Sequence, residues 1–324
     1  MSISLQQSVD LVQQRVSERL QHVVPATPVS LYDPVRYIIK AGGKRLRPVL
    51  TYLCSLSVEN ADWVSAACAV ELLHTFTLVH DDIMDNAATR RGFATMHVAY
   101  DLNTAILAGD VLIALAEECL SAGKYNEIAA MLKEFSLGFR YVCEGQALDK
   151  EFELRHEVSV DEYFTMIDLK SAKMIELAAV LGGYAAGVKE IEALRSFAHH
   201  LGIAFQLRDD LLDLTANEAE LGKTIGGDII EGKRTLLYLA AREQYDTLDT
   251  AAKQLLDAIA DRKATKDDVA LAKALFERTG SISSSKEQIA LHTEQARAAL
   301  SEIGHEATRN ALFDFSEYLL HRQH

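Results

Sequence analysis

Proline is confined to the start of the chain, and this constrains the fold more than any other feature. All four prolines lie at or before Pro48, and the remaining 276 of the 324 residues contain none. Because proline breaks helix interiors, a long proline-free stretch rich in Ala, Leu and Glu favours helix throughout. Alternating runs bounded by tight hairpin turns, which would predict strands, are not evident. The sequence therefore predicts an all-α fold, a bundle of about ten or more helices.

Local capping patterns indicate where several helices begin. Each pattern has a hydroxyl residue followed three positions later by an acidic one, just before an apolar helical stretch. Three such patterns occur, at Ser159–Glu162, Thr265–Asp268 and Ser284–Glu287. Since no Ser- or Pro-rich linker interrupts the chain, we predict one domain over residues 1–324.

Charge and hydropathy limit the classes of partner. The net charge is -14, which argues against general affinity for nucleic acid or an anionic membrane. The first residues resemble neither a signal peptide nor a transit peptide, and no run approaches the roughly 18 apolar residues of a membrane span. The four cysteines are scattered and are expected to be buried thiols in a reducing compartment. We expect a cytoplasmic protein without a stable membrane anchor.

One acidic pattern, D-D-x-x-D, occurs twice, at residues 81–85 and 209–213, each time directly after an apolar run. On a helix the first and last aspartates of the pattern share a face, with side chains about 5–6 Å apart. Their mutual repulsion is relieved by a hard divalent cation such as Mg²⁺, which prefers carboxylates, waters and phosphates. A single copy would be better explained as a solvated helix end. Two copies after apolar runs favour metal sites.

Basic residues accompany both acidic patterns. Arg90 and Arg91 follow the first pattern, and the stretch G-G-K-R-L-R-P from Gly42 to Pro48 precedes it. Cations beside a metal site suggest that both bind one anion, and phosphate fits. The Gly- and Lys-rich residues 221–233 after the second pattern have the composition of a mobile lid. Taken alone, the three basic residues between Gly42 and Pro48 are equally consistent with a solvated loop.

Together these motifs resemble the trans-polyprenyl diphosphate synthases, which are head-to-tail prenyltransferases. The resemblance is carried by G-G-K-R-L-R-P, H-D-D-I-M-D with R-R-G after it, G-Q-x-L-D at 145–149, and F-Q-L-R-D-D-L-L-D followed by G-K. It implies an isoprenoid-synthase type of helical fold around a deep central cavity, a homodimer, and three Mg²⁺ per active site. It also implies isopentenyl diphosphate and an allylic diphosphate as substrates.

The resemblance assigns roles position by position. It places Asp81, Asp85 and Asp209 on the metals, with Asp82, Asp210 and Asp213 in or behind that shell. It places the diphosphate of isopentenyl diphosphate against Lys44, Arg47, His74 and Arg91. It places the allylic diphosphate against Arg90, Lys170, Ser171, Gln206, Lys223 and Lys233, with Lys170 and Lys223 also aiding catalysis. Ser171 departs from the family, which more often has threonine there. His74 has an alternative explanation, a core histidine satisfied by a backbone carbonyl.

The chemistry implied by the resemblance explains the doubled carboxylates. Cleavage of the allylic C–O bond places negative charge on the diphosphate, which bound cations stabilise. Isopentenyl diphosphate then attacks the carbocation, and the departing diphosphate takes the proton that is lost. Water must be kept from the cation, so a dry cavity is expected.

Product length is expected to depend on Phe76 and Thr77, which lie about one helical turn below Asp81. One turn advances about 5.4 Å, comparable to one extended isoprene unit. In the family that the chain resembles, an aromatic residue five positions before the first aspartate goes with short products. Because Thr77 is small, geranylgeranyl diphosphate is favoured. Farnesyl and longer diphosphates are the alternatives, and Phe76 could instead merely pack between helices.

Rival functions are less consistent with the motifs. Class I terpene cyclases usually carry a different second metal motif, and head-to-head synthases have other aspartate spacings. A non-catalytic regulatory subunit of a heteromeric synthase typically loses one aspartate motif, whereas both are intact here. An unrelated acidic helical scaffold would not need the basic stretches.

Overall fold

The computed structural model describes residues 4–215 and 225–321, and its described residues are almost entirely helical. The all-α fold and the expectation of ten or more helices are confirmed. The helices are α1 Leu5–Val23, α2 Val29–Lys40, α3 Leu46–Cys54, α4 Trp63–Met84, α5 Met96–Ala99, α6 Leu102–Ser121, α7 Ile128–Phe152, α8 Val160–Ile167, α9 Lys173–Ala186, α10 Ile191–Thr215, α11 Gly227–Glu231, α12 Leu236–Arg242, α13 Thr250–Ala260, α14 Lys266–Arg278, α15 Ser281–Leu300 and α16 Glu306–His321. A π-helix covers Asp168–Ala172, a 3₁₀-helix covers Tyr245–Thr247, and the strands are β1 Thr89–Arg90 and β2 Phe93–Ala94.

The described chain forms two compact units. The first contains residues 4–139, 174–195 and 300–315. The second contains residues 140–173, 196–215, 225–299 and 316–321. The first aspartate pattern and its basic stretches belong to the first unit, and the second pattern belongs to the second unit.

Two of the three predicted capping boxes are present. Ser159 accepts from the backbone N–H of Glu162, whose side chain accepts in return from Ser159. Thr265 and Asp268 form the same reciprocal pair at the start of α14. The prediction at Ser284 is wrong, because α15 already begins at Ser281, directly after Gly280 in a left-handed conformation.

The core of the first unit is built around α4, which packs against α3 and α6. Burial in α4 is not confined to one face of the helix, because all residues from Ala66 to Leu73 are almost wholly buried. By length and composition alone α4 could cross a membrane, but 67% of its most apolar window is buried inside the protein. It is the one such helix in the described part of the chain. A helix that is apolar on all sides is expected at the centre of a folded unit.

The second unit has its own apolar core. Tyr163, Tyr238 and Phe276 are fully buried there, together with aliphatic residues of α10 and α13. The guanidinium of Arg234 is buried beside this core and donates to the carbonyls of Arg155 and Ala260, each at 2.9 Å. These bonds satisfy carbonyls that would otherwise lose their hydrogen bonds on burial.

The cysteines partly follow expectation. Cys54, Cys68 and Cys119 are buried thiols, as predicted. Cys143 is exposed, so the prediction for that residue is wrong. All four are free.

Candidate active site

The first aspartate pattern lies at the end of α4. Asp82 is buried and its Oδ1 accepts from Arg90 Nε at 2.7 Å. Burial raises the pKa of Asp82 above its ordinary value, even though Arg90 acts in the opposite direction. Asp81 is partly exposed and Asp85 is exposed, one turn further along. The two carboxylates named as metal ligands here therefore reach solvent, while the middle one holds Arg90 in place.

A short hairpin positions the two arginines that follow. Strands β1 and β2 pair Arg90 with Phe93, and Arg91 and Gly92 occupy the turn with φ of 53° and 80°. Two-residue hairpin turns of this kind require positive φ at both central positions. The turn sends adjacent side chains to different partners, Arg90 to Asp82 and Arg91 to the carbonyl of Gly42.

The glycine-rich stretch before α3 makes room for Arg91. A Cβ on Gly43 would lie 2.9 Å from the guanidinium carbon of Arg91, so only glycine fits without displacement. Burial lowers the pKa of Arg91 from its ordinary value. Arg91 is thus held against the backbone at Gly42 and Gly43.

Among the basic residues of this stretch, Arg45 differs from its neighbours. It is buried with φ of 52° and forms an ion pair with Glu71 of α4, each side chain only 6% exposed. Arg47, by contrast, is partly exposed, and Lys44 is exposed. Arg45 therefore fixes the loop to α4, whereas Lys44 reaches solvent.

His74 contacts a cation rather than a carbonyl. Arg47 Nη1 lies 3.0 Å from His74 Nε2. Burial, followed by Arg47 and Arg91, holds the pKa of His74 well below its usual range. The imidazole is therefore neutral and accepts from Arg47, which orients the guanidinium. The alternative considered above was a core histidine whose ring bonds to a backbone carbonyl. At Nε2 the partner is Arg47 instead.

The second aspartate pattern, on α10, is embedded in hydrogen bonds. Asp210 accepts from Tyr163 Oη at 2.7 Å and from Gln206 Nε2 at 2.8 Å. Asp213 accepts from the backbone N–H of Asp228 at 3.0 Å. Burial and the nearby charge of Asp228 raise the pKa of Asp210 to about 7 and that of Asp213 to about 6. Asp209 is partly exposed.

Lys170 and Ser171 lie within the π-helix between α8 and α9. Lys170 Nζ pairs with Asp149 Oδ2 at 2.5 Å, and Ser171 Oγ donates to Gln206 Oε1 at 2.5 Å. A π-helix inserts an extra residue in the turn and is often found at functional sites. Ser171 thereby joins the hydrogen-bond chain that reaches Asp210.

Two glycines allow neighbouring helices to approach this π-helix closely. A Cβ on Gly145 of α7 would lie 2.7 Å from the Cα of Lys170, and one on Gly202 of α10 would lie 2.6 Å from the Cα of Ala172. Backbone atoms cannot move aside as side-chain ends can. Gly145 and Gly202 therefore fix where the π-helix, and with it Lys170, sits within the second unit.

The lid prediction can be compared only in part. Lys223 lies outside the described residues. Lys233 pairs with Asp228 and Glu231, both at 3.1 Å. Burial opposes the charge of Lys233, but these carboxylates outweigh it and raise the pKa well above its ordinary value. The amine of Lys233 therefore stays protonated and places a positive charge beside the second aspartate pattern.

The two residues expected to limit product length have different surroundings. Phe76 is 8% exposed. Its ring packs edge-on against the ring of Phe139 of α7, with centroids 5.3 Å apart, and beside the ring of His80, with centroids 4.5 Å apart. Thr77 Oγ1 donates to the carbonyl of His74 at 2.8 Å. The bulk at this level of α4 is therefore supplied by Phe76, with Phe139 behind it.

Four residues with evident roles in these networks were not predicted as site residues: Glu71, Asp149, Tyr163 and Asp228. Glu71 could have been noticed as a lone acid within the apolar run of α4. Asp149 lies in the G-Q-x-L-D motif, and Asp228 lies in the stretch predicted to form a lid. Tyr163 carries no signal in the sequence, because only the folded unit shows that its hydroxyl reaches Asp210.

Solved structures with the same fold show the class of protein to which this chain is similar. A crystal structure of a geranylgeranyl pyrophosphate synthase superposes with a TM-score of 0.89 at 38% identity, covering 98% of this chain and 99% of that one. The chain belongs to the polyprenyl synthetase family, whose model matches residues 28–277. Family members depend on magnesium in general and act on isoprenoid diphosphates.

Two relatives match over nearly their whole length. A geranylgeranyl pyrophosphate synthase of Geoglobus acetivorans is 37% identical over 97% of both chains. A geranylfarnesyl diphosphate synthase of Natronomonas pharaonis is 35% identical over 98% of this chain and 99% of the relative. The recognition made from the motifs is therefore confirmed at the level of the family.

Proposed function

We propose that this protein is a Mg²⁺-dependent prenyltransferase that condenses isopentenyl diphosphate with allylic diphosphates and releases mainly geranylgeranyl diphosphate. The observation that carries the proposal is that each aspartate pattern has its own set of cations and polar partners within a chain matched by one family over residues 28–277. An acidic scaffold would not need Arg90 bonded to Asp82, or Lys170 bonded to Asp149.

The carboxylates present fit a divalent cation. Asp210 and Asp213 have raised pKa values because they are buried near a further acid, Asp228. Burial is the larger cause and the charge of Asp228 the second, so a divalent cation nearby would favour the charged form of both carboxylates. We assign Asp81, Asp85 and Asp209 as the metal ligands, and expect three ions per active site. When bound, Mg²⁺ neutralises the charge of the diphosphate and of the leaving group.

The chain's own residues bind and orient the two substrates. The diphosphate of isopentenyl diphosphate is bound by Lys44, Arg47 and Arg91. The neutral imidazole of His74 orients the guanidinium of Arg47. Arg90, Lys170 and Lys233 bind the allylic diphosphate. As its C–O bond breaks, these fixed cations stabilise the growing negative charge without reorganising.

The remaining steps need no strong protein base. With both substrates held, attack of the isopentenyl double bond on the allylic cation becomes effectively unimolecular, which is a large part of the acceleration. The released diphosphate takes the proton. Ser171 and Gln206, bonded at 2.5 Å, hold the polar network beside Asp210.

Product length follows from the bulk at Phe76. Because Phe139 and His80 pack against this ring, it is held in place and can serve as a floor for the growing chain. A C20 product is favoured over C15. The relative named as a geranylfarnesyl diphosphate synthase gives a specific reason to retain a C25 product as the second candidate.

The protein's setting follows from the same proposal. We propose one polyprenyl synthetase domain over residues 1–324, acting as a cytoplasmic homodimer without a membrane anchor and without nucleic-acid partners. The net charge of -14 is consistent with the last of these.

Substitution of the metal ligands tests the proposal. Asp81→Asn and Asp209→Asn should each fold normally and lower the rate of isoprene incorporation by orders of magnitude, since the ligand set is incomplete. The matched control is Asp10→Asn, an exposed carboxylate on α1, which should leave the rate unchanged. Wild-type turnover in either ligand variant, with Mg²⁺ present, would refute the metal assignment.

A further inference from the structure

The hydroxyl of Tyr163 lies against the middle aspartate of the second aspartate pattern. Tyr163 belongs to α8, and only 1% of its surface is exposed. Its Oη donates to Asp210 Oδ2 at 2.7 Å. The proposed reaction gives Tyr163 no contact with either substrate. A buried phenol that is spent on this carboxylate therefore needs an explanation of its own.

The other oxygen of Asp210 also has a donor from the chain. Gln206 lies one turn earlier on α10, and its Nε2 donates to Asp210 Oδ1 at 2.8 Å. Ser171 orients this amide, because its Oγ donates to Gln206 Oε1 at 2.5 Å. An amide has donors only on its nitrogen, so the bond from Ser171 turns the NH₂ group toward Asp210. The two donors together fix the plane of the Asp210 carboxylate.

The middle aspartate of the first pattern has a partner of the same kind. Asp82 Oδ1 accepts from Arg90 Nε at 2.7 Å. In each unit, taken by itself, the second carboxylate of the pattern is thus held by a donor from a different element, Arg90 of β1 or Tyr163 of α8. The recurrence at one position of the pattern indicates that this aspartate is an anchor.

Anchoring Asp210 matters because of its place on α10. It is turned by about 100° from Asp209 on the helix, so it borders the face that Asp209 and Asp213 share. Hydrogen bonds behind a metal site orient the groups around the ion, and losing one typically costs about 10–100-fold in metal affinity. Without the phenol, the Asp210 carboxylate could rotate, and ordering it again would oppose binding of the ion.

We infer that Tyr163 is a positioning residue for the divalent-cation site at the second aspartate pattern and acts by fixing Asp210 together with Gln206. This inference rests on the proposed function, since it takes the pattern to bind Mg²⁺. The competing explanation is packing alone, because the ring of Tyr163 also lies edge-on to that of Phe164, with centroids 5.6 Å apart.

The variant Tyr163→Phe separates the two explanations, because it keeps the ring and removes only the hydroxyl. Electron paramagnetic resonance of unbound Mn²⁺, which suits the same oxygen ligands as Mg²⁺, measures the affinity of the chelator-treated full chain without substrate. This affinity should fall about 10–100-fold in the variant. In the rate assay, the Mg²⁺ concentration for half-maximal rate should rise by a similar factor, while kcat at saturating Mg²⁺ changes less. A packing defect would instead lower the amount of active protein and leave both midpoints in place.

The matched control is Tyr245→Phe in the same unit. Tyr245 Oη donates to Asp257 Oδ2, also at 2.7 Å, but Asp257 lies outside both aspartate patterns. This control should keep the wild-type midpoints for Mn²⁺ and Mg²⁺. Ser171→Ala provides a second variant, which should weaken Mn²⁺ binding in the same direction because Gln206 loses the bond that orients its amide. Circular dichroism checks that each variant is folded.

The outcomes distinguish this inference from the proposed function. A wild-type protein that binds Mn²⁺ but extends no primer would refute the proposed reaction, and the Mn²⁺ comparison would still decide the role of Tyr163. With an active wild type, the inference is overturned if folded Tyr163→Phe keeps both midpoints, or if Tyr245→Phe shifts them as far. Absence of saturable Mn²⁺ binding by the wild type would overturn it as well.

Discussion

Removal of the ring at Phe76 should lengthen the product. Phe76 has little exposed surface, and its ring is held from two sides, by Phe139 and by His80. In Phe76→Ala the obstruction disappears over a depth of about one helical turn, about 5.4 Å, which is close to one isoprene unit. The main product should therefore shift by one unit, from C20 to C25, with a smaller amount of longer chains.

The same substitution has a cost in stability that the structure allows us to bound. Truncating a buried phenylalanine costs about 3–5 kcal/mol, and the lost edge-on contact with Phe139 is part of that figure. Since whole domains are stable by only about 5–15 kcal/mol, the variant should fold but melt earlier. Phe76→Leu, at a cost of about 1 kcal/mol, should shift the product less and keep its fold.

The assay is chromatography of dephosphorylated products made from labelled isopentenyl diphosphate at a fixed enzyme concentration. The matched control is Phe135→Leu, which alters a fully buried aromatic residue one turn before Phe139 on the same helix. It should lower the melting temperature without changing chain length. An unchanged C20 profile in a folded Phe76→Ala variant would refute the role of the ring as a floor.

Three further predictions follow from single contacts. Glu71→Gln leaves the buried charge of Arg45 without its partner, so the free energy of unfolding should fall by about 3–5 kcal/mol; an unchanged urea midpoint would contradict this. Gly145→Ala places a methyl group against the backbone of Lys170, and a displacement of about 1 Å can cost about a hundredfold in rate, so kcat should fall sharply while the circular dichroism spectrum is retained. Because burial lowers the pKa of His292 to about 4, its contribution to the free energy of unfolding should be constant above about pH 6.5 and be lost as the pH falls toward 4. The loss should be about 1 kcal/mol for this half-buried ring. It should vanish in His292→Phe, and its persistence there would reject the assignment to His292.

Much of the helical organisation could be predicted because it is local. The apolar run before Asp81 is typical of a buried helix that carries the first aspartate pattern, and α4 does extend to Met84 with Asp85 as its cap. The capping residues Ser159 and Thr265 also act locally. The error at Ser284 arose because the start of α15 is set by the left-handed turn at Gly280, which the capping rule does not consider.

The partners within the site could not be predicted in the same way. The π-helix that carries Lys170 depends on Gly145 and Gly202, which approach it from two other helices. Nothing near residue 170 in the sequence signals this. Likewise, three basic residues stand close together at the start of α3, and the buried ion pair with Glu71 distinguishes Arg45 from its neighbours.

The most direct measurement combines the purified full-length protein with Mg²⁺, labelled isopentenyl diphosphate and, in separate reactions, dimethylallyl, geranyl and farnesyl diphosphates. Label should enter a C20 alcohol after dephosphorylation from each primer, and chelation of Mg²⁺ should abolish it. Failure to extend any primer, by a folded protein with both aspartate patterns intact, would contradict the proposed enzyme and favour a non-catalytic subunit.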